Sequence, residues 1–256
     1  MKKIYAISLT IIALLAVAIT AFAGPEVVSK ANPDGGWMGR KTATYEVTIT
    51  NLTPGQPLTP PVVATHRRNV HLFRVGSAAS FALQEIAENG NSTPMLDALG
   101  ANKHVFDSQQ VGMVPLVPTA DPGGTGLADS VTFNIAAARG ARFLSFASML
   151  ICTNDGFTGI DGLRLPTKVG RSMTATVNGY DAGTEINTED FANMVPPCQG
   201  LIGVSSGDGG TGMSDPALLE GGVITHHPGI QGIDDLLPGV HGWTDPAATV
   251  TVTRVN

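Results

Sequence analysis

A chain of 256 residues with a formal net charge of −6 and only 14% charged residues lacks the clustered Lys and Arg that a nucleic-acid partner requires. Its acidic balance suits cations better than phosphates. With 43% hydrophobic residues, 31 glycines and 17 prolines, a sizeable core can form and turns must occupy much of the chain.

Lys2 and Lys3 precede an almost wholly apolar run over 4–20. Ala21-Phe22-Ala23 then places small residues at both recognition positions of a cleavage site, before Gly24-Pro25. This pattern predicts a secretory signal over 1–23, removed on export, although the run is also about as long as a bilayer anchor. Cleavage removes two lysines and no acids, taking the net charge from −6 to −8. No second apolar run of spanning length follows, so a secreted or periplasmic protein without a transmembrane segment is expected. Residues 24–42 are polar, glycine-rich and unpatterned, and are expected to be a flexible lead-in.

The folded domain is expected over 43–256. Residues 45–50 alternate apolar and polar with β-branched side chains, which predicts a half-buried strand. Prolines at 54, 57, 60 and 61 then impose an extended, turning segment, and 71–75 reads as a short strand ended by Gly76. Residues 77–89 form a convincing helix, with Ser77 as cap, Leu83, Ile86 and Ala87 on an apolar face, and Gly90 as stop. A second, shorter helix is expected over 93–99, with Pro94 in its first turn and Gly100 beyond its end. Strands return at 130–136, 142–151, 173–177 and 249–255, with a helical turn near 187–194 and a glycine-rich loop over 203–212. Long antiparallel strands with small helices in the connections predict an all-β sandwich of one domain.

Two acidic loops carry the chemistry: Thr153-Asn154-Asp155-Gly156-Phe157 and Tyr180-Asp181-Ala182-Gly183-Thr184-Glu185. Each follows a strand-like stretch, and glycine near each acid allows the sharp turn that aims oxygen atoms inward. Asp155, Asp181 and Glu185 are candidate ligands for a Ca²⁺ ion, which takes several carboxylate and carbonyl oxygens. Solvated turn acids are the competing reading of the residues alone. The cysteines, Cys152 and Cys198, lie 46 residues apart. In an exported chain an even pair is expected to be bridged; two buried thiols or a metal pair are the alternatives, without zinc-like spacing. The bridge would brace the acidic loops, since Asp155, Asp181 and Glu185 lie between the two cysteines.

Other features carry less. The adjacent His226 and His227 would point to opposite faces of a strand, which makes shared metal binding awkward. Ser145, Ser148 and Ser205 lack the nucleophile elbow of exported esterases. Paired carboxylates also suit a glycosidase, but only 5% of the chain is aromatic, too little for a sugar-stacking cleft. Asp121-Pro122-Gly123-Gly124-Thr125-Gly126 and Gly207-Asp208-Gly209-Gly210-Thr211-Gly212 look calcium-like, but they do not repeat in tandem.

From Tyr45 onward the chain resembles the spondin-type N-terminal domain, found in F-spondin and mindin and as a stand-alone exported domain in bacteria. The resemblance rests on the order of several stretches: 45–53, Leu58-Thr59-Pro60-Pro61-Val62-Val63, Gly76-Ser77-Ala78-Ala79-Ser80, Ile86-Ala87-Glu88-Asn89-Gly90, 147–151 and the two acidic loops. It implies a β-sandwich similar to calcium-dependent lipid-binding modules. It also implies calcium held by Asp155, Asp181 and Glu185, with glutamate at 185 where the animal proteins usually have aspartate and Gly156 where they have tryptophan. The expected function is an exported calcium-binding module for adhesion or for binding a protein or glycan outside the cell, without catalysis. A secreted hydrolase and a calcium-dependent lipid-surface binder are the alternatives.

Overall fold

The computed structural model describes residues 36, 37, 39 and 41–256. The expected signal over 1–23 and most of the expected lead-in lie outside the described residues. Among the described residues, ten strands form two antiparallel sheets. The four-stranded sheet runs β4 (Ser130–Ala138), β1 (Thr42–Asn51), β10 (Ala248–Arg254), β7 (Ser172–Val177). The six-stranded sheet runs β3 (Val105–Gln110), β2 (Val62–His66), β5 (Phe143–Met149), β6 (Gly156–Arg164), β8 (Gly179–Asp181), β9 (Thr225–His226). Four short helices lie in the connections between these strands: α1 (Phe81–Asn89), α2 (Thr93–Ala101), α3 (Pro197–Ile202) and α4 (Pro238–His241). The sandwich expected from sequence is therefore the fold.

The two sheets differ in what covers them, and their sequences reflect it. In β1, Tyr45, Val47 and Ile49 point inward, while Thr44, Glu46, Thr48 and Thr50 point outward. The outer face is threonine-rich, with hydroxyl pairs such as Thr48–Thr132 and Thr174–Thr251 linking neighbouring strands, a cross-strand pairing that stabilises a solvated face. Between the sheets lie Val47, Ile49, Val250, Val252, Leu144, Phe146 and Leu150. The six-stranded sheet is covered on its second face as well, where Leu83, Ile86 and Ala87 of α1 and Met95 and Leu99 of α2 pack on Val62, Ala64, Ala147 and Phe157. Hence β2 is buried at every position and β5 at all but its first residue.

Several local expectations are corrected. Residues 71–75 are irregular backbone, with a bend at Leu72, rather than a strand. Leu72 and Phe73 are both buried, and the Leu72 N–H donates to the Asp161 carboxylate at 2.9 Å instead of to a sheet neighbour. The cap of α1 is Ser80, whose side chain accepts the Leu83 N–H, not Ser77. Gly90 closes that helix in the left-handed region at φ 64°, as expected of a C-terminal glycine. Gly100 lies inside α2 and does not end it. Trp37, in the segment expected to be a flexible lead-in, is buried, edge-on to Phe106 at 5.5 Å with the Arg67 guanidinium 4.5 Å from its ring centre.

A third cluster fixes the end of the sandwich that carries the acidic loops. Cys152 and Cys198 are bridged, and around them pack Phe191, Met194, Leu201, Ile202 and Leu236. The bridge joins the turn after β5 to α3. Its cysteines are 46 positions apart in sequence, for which the chain-entropy treatment gives roughly 4 kcal/mol of stabilisation. Replacing both cysteines by serine should lower unfolding free energy by about that amount in a denaturant titration. An unchanged midpoint would show that the staple contributes nothing.

Candidate metal centre

The first acidic loop is the turn between β5 and β6. Thr153 builds it: its hydroxyl donates to the Leu150 carbonyl at 2.6 Å and accepts the Gly156 N–H at 2.9 Å. A Cβ on Gly156 would sit 2.4 Å from that same hydroxyl, so the tight turn leaves room only for glycine there. The turn drives Asp155 into the protein, with none of its surface exposed.

The second loop is brought alongside by sheet pairing. Gly156 pairs with Asp181 across β6 and β8, and the Ala182 N–H donates to the Asp155 carbonyl at 3.2 Å. Gly183 then turns with φ 68°, and a Cβ there would lie 2.6 Å from the backbone nitrogen of Val223. This close approach lets the 219–223 segment run beside the loop, with the Gly222 N–H bonded to the Gly183 carbonyl and the Glu220 N–H to that of Thr184. Three segments distant in sequence thus meet at one point.

Carboxylate oxygens of Asp155, Asp181 and Glu220 lie within 4.8 Å of one another. Asp155 and Asp181 are brought together as expected from sequence. The Glu185 carboxylate is not in this group: one of its oxygens accepts the Asp215 N–H at 2.9 Å. Glu185 contributes its backbone instead. One oxygen of Asp155, Oδ2, accepts the N–H groups of Thr184 at 2.7 Å and Glu185 at 3.1 Å, and the Thr184 hydroxyl at 3.2 Å. Asp181 accepts the Gly183 N–H and the Asn187 amide. Glu220 had no signal beyond an acid beside two glycines, and nothing in its spacing tied it to the other loops.

The other oxygen of Asp155, Oδ1, is buried without a hydrogen-bond partner. Leaving a buried carboxylate oxygen unpaired costs a few kcal/mol, and no Lys or Arg forms an ion pair with these acids among the described residues. Burial, then repulsion from Asp181, pushes the Asp155 carboxyl up to about 7 against the opposing N–H bonds. Glu185 is also pushed up to about 7, mainly by burial, with the charges of Glu88, Asp155 and Asp215 adding to it. This donor set fits a hard divalent cation: a buried carboxylate with an unpartnered oxygen lies beside a second buried carboxylate, with a more exposed third one within reach. Asp155, Asp181 and Glu220 would hold the ion.

Most of the remaining candidate residues are engaged by their own neighbours, while His227 Nε2 is buried without a hydrogen-bond partner. A second acidic group, Asp190, Asp208 and Asp235, is partly or fully exposed, and its carboxylates accept Ala192 N–H, Ser206 hydroxyl and Phe191 N–H. Asp121 gathers the N–H groups of Thr125 and Gly126 from its own loop, which lowers its pKa and accounts for the calcium-like composition. His226 and His227 diverge, the first ring against Tyr180 and the second against Trp243. Ser145 is fully buried, its hydroxyl 2.7 Å from His66 Nε2 and accepting the Gly162 N–H, where it fills an irregularity between β5 and β6.

The raised carboxyl pKa values fix a pH dependence for the metal-free protein. A carboxyl that titrates higher in the folded than in the unfolded state holds its proton longer when folded, so stability falls as pH rises between the two values. Chelated protein should therefore lose stability from about pH 4 to about pH 7, and Asp155→Asn should flatten that slope. Thermal melts across this window in chelator check it. Stability that rises through the window would contradict the assigned environments.

A model of the family described as Spondin_N matches residues 54–196, more than half of the chain and a span that includes both acidic loops and Cys152. No curated protein gives a match. The matched span stops short of Glu220, so the third carboxylate of the group comes from outside it. The chain belongs to the Spondin_N family.

Proposed function

We propose that the protein is an exported binding module that holds a calcium ion between its acidic loops and uses that end of the sandwich to engage a protein or glycan outside the cell. The observation that carries this reading is the buried, unpartnered Oδ1 of Asp155 beside Asp181 and Glu220. The Cys152–Cys198 bridge supports export, since such bridges persist in oxidising compartments. Among the described residues no helix is long and apolar enough to cross a membrane.

Calcium is favoured over magnesium because the oxygens come from three segments with different constraints. Ca²⁺ tolerates an irregular oxygen shell, whereas Mg²⁺ demands a near-octahedral one. A bound cation would offset the repulsion between Asp155 and Asp181 and tie the 219–223 segment to β6 and β8. Leu219 and Val223, 65% and 44% exposed, flank Glu220, so a partner would meet charge and apolar surface together. Ile186, half exposed in the adjoining loop, enlarges that apolar rim, and the same rim would suit calcium-dependent contact with a lipid surface. Calcium-dependent sedimentation with anionic liposomes separates that reading from a protein or glycan partner. The module binds and does no catalysis.

A ligand bound only by the folded state adds roughly 2.7 kcal/mol at a hundredfold excess over Kd, or about 5–10 °C for a domain of this size. Chelation should lower the melting temperature by that order, and millimolar Ca²⁺ should restore it more fully than Mg²⁺. Asp181→Asn should weaken the response, while Asp208→Asn should leave it intact. A melting temperature indifferent to chelator and to added Ca²⁺ would leave the acids as turn residues and remove the basis for the reading.

A further inference from the structure

A cavity of about 730 Å³ opens between the end of α1, the 112–115 segment and the 212–214 segment, a volume ordinary for a ligand pocket. Asp155, Asp181 and Glu220 are not among its lining residues. Met149, Ile151 and Val195 give it a buried apolar base. Met113 and Met213 stand on two of its sides and are 60% and 76% exposed. A lone exposed apolar side chain is ordinary, but here two of them border one cavity with an apolar base.

The backbone around each methionine is pinned. Before Met113, the Val111 N–H donates to the Pro61 carbonyl at 2.9 Å. After it, Leu116 and Leu58 exchange N–H bonds at 2.9 and 2.8 Å. On the other side, the Thr211 N–H donates to the Met194 carbonyl at 2.7 Å, and the Ser214 hydroxyl accepts the Asn89 amide at 3.0 Å. Two flexible thioether side chains therefore project from fixed backbone. Such side chains mould themselves to irregular apolar shapes, and fixed backbone reduces the ordering cost of binding.

Glu85 is the one charged residue that lines the cavity. Its oxygens accept the Asn89 amide at 3.4 Å and the Asn91 amide at 2.7 Å, which hold the carboxylate without neutralising it. Among the described residues no Lys or Arg forms an ion pair with it. The last turn of α1 carries no basic residue either, so the negative pole of the helix adds to the carboxylate's charge. No aromatic side chain lines the cavity, which leaves a sugar ring nothing to stack on.

We propose that this cavity binds an apolar–basic segment of a protein partner, with apolar side chains against Met113, Met149 and Met213 and a Lys or Arg beside Glu85. The site goes beyond the cation centre and needs no ion. It selects a protein where the cation centre suits either a protein or a glycan.

Methionine-methyl NMR of the disulfide-intact protein tests this, with blocked Leu-Lys-Leu, Leu-Gln-Leu and Leu-Glu-Leu peptides and a neutral maltooligosaccharide as probes. The Met113, Met149 and Met213 signals should move saturably with Leu-Lys-Leu, while Met173, on β7 of the other sheet, stays still. A charge-assisted contact predicts binding at least about tenfold tighter for Leu-Lys-Leu than for Leu-Glu-Leu. E85Q should abolish that preference yet keep the binding of Leu-Gln-Leu, and M213S should weaken all the peptides. The proposal is overturned by stationary Met113, Met149 and Met213 signals, or by movement with the saccharide alone. A lysine preference that survives E85Q, or wild-type affinity in M213S, overturns it as well.

Discussion

The acidic end of the molecule is organised around one half-satisfied carboxylate. Asp155 is fully buried and gives one oxygen to the backbone of the neighbouring loop, while the other has nothing to bond. The satisfied oxygen locks the order of parts, because the N–H groups of Thr184 and Glu185 can reach it only if β8 lies against β6. The unsatisfied oxygen leaves a local cost that the polypeptide does not offset. A bound cation, as proposed, would offset that cost.

The rest of the scaffold can be understood as what holds that carboxylate in place. Thr153 and Gly156 make the turn, the Cys152–Cys198 bridge anchors it to α3, and Gly183 admits the 219–223 segment that carries Glu220. Because both faces of the six-stranded sheet are packed, by the second sheet and by α1 and α2, the loops extend from a rigid base. Positioning of this kind would let the proposed module present a cation without ordering its ligands at the moment of binding. The solvated threonine face of the other sheet takes no part in the acidic cluster.

What could be read from the sequence followed from how each element is buried. β1 and β10 are solvated on one face, so their alternation was plain. β2 and β6 were missed, since burial on both sides along β2 and the first half of β6 erases the alternation and leaves short apolar or glycine-containing runs. Asp155 and Asp181 were legible because each sits in a glycine-marked turn, and the family resemblance placed them in order. Glu220 was not, since it reaches the group only through the backbone approach at Gly183, which no local pattern encodes. The 71–75 segment misled because Leu72 and Phe73 are buried as adjacent residues, with an Asp161 oxygen in place of a sheet partner for the Leu72 N–H.

Whether a cation meets the free oxygen of Asp155 decides the function of this end of the sandwich. Crystals grown in Ca²⁺ and measured for anomalous scattering test it most directly. The expected result is a peak about 2.3–2.6 Å from Asp155 Oδ1, shared with Asp181 and lost in Asp155→Asn crystals. Well-ordered loops with no peak there, and a water or a protonated carboxyl in its place, would contradict it.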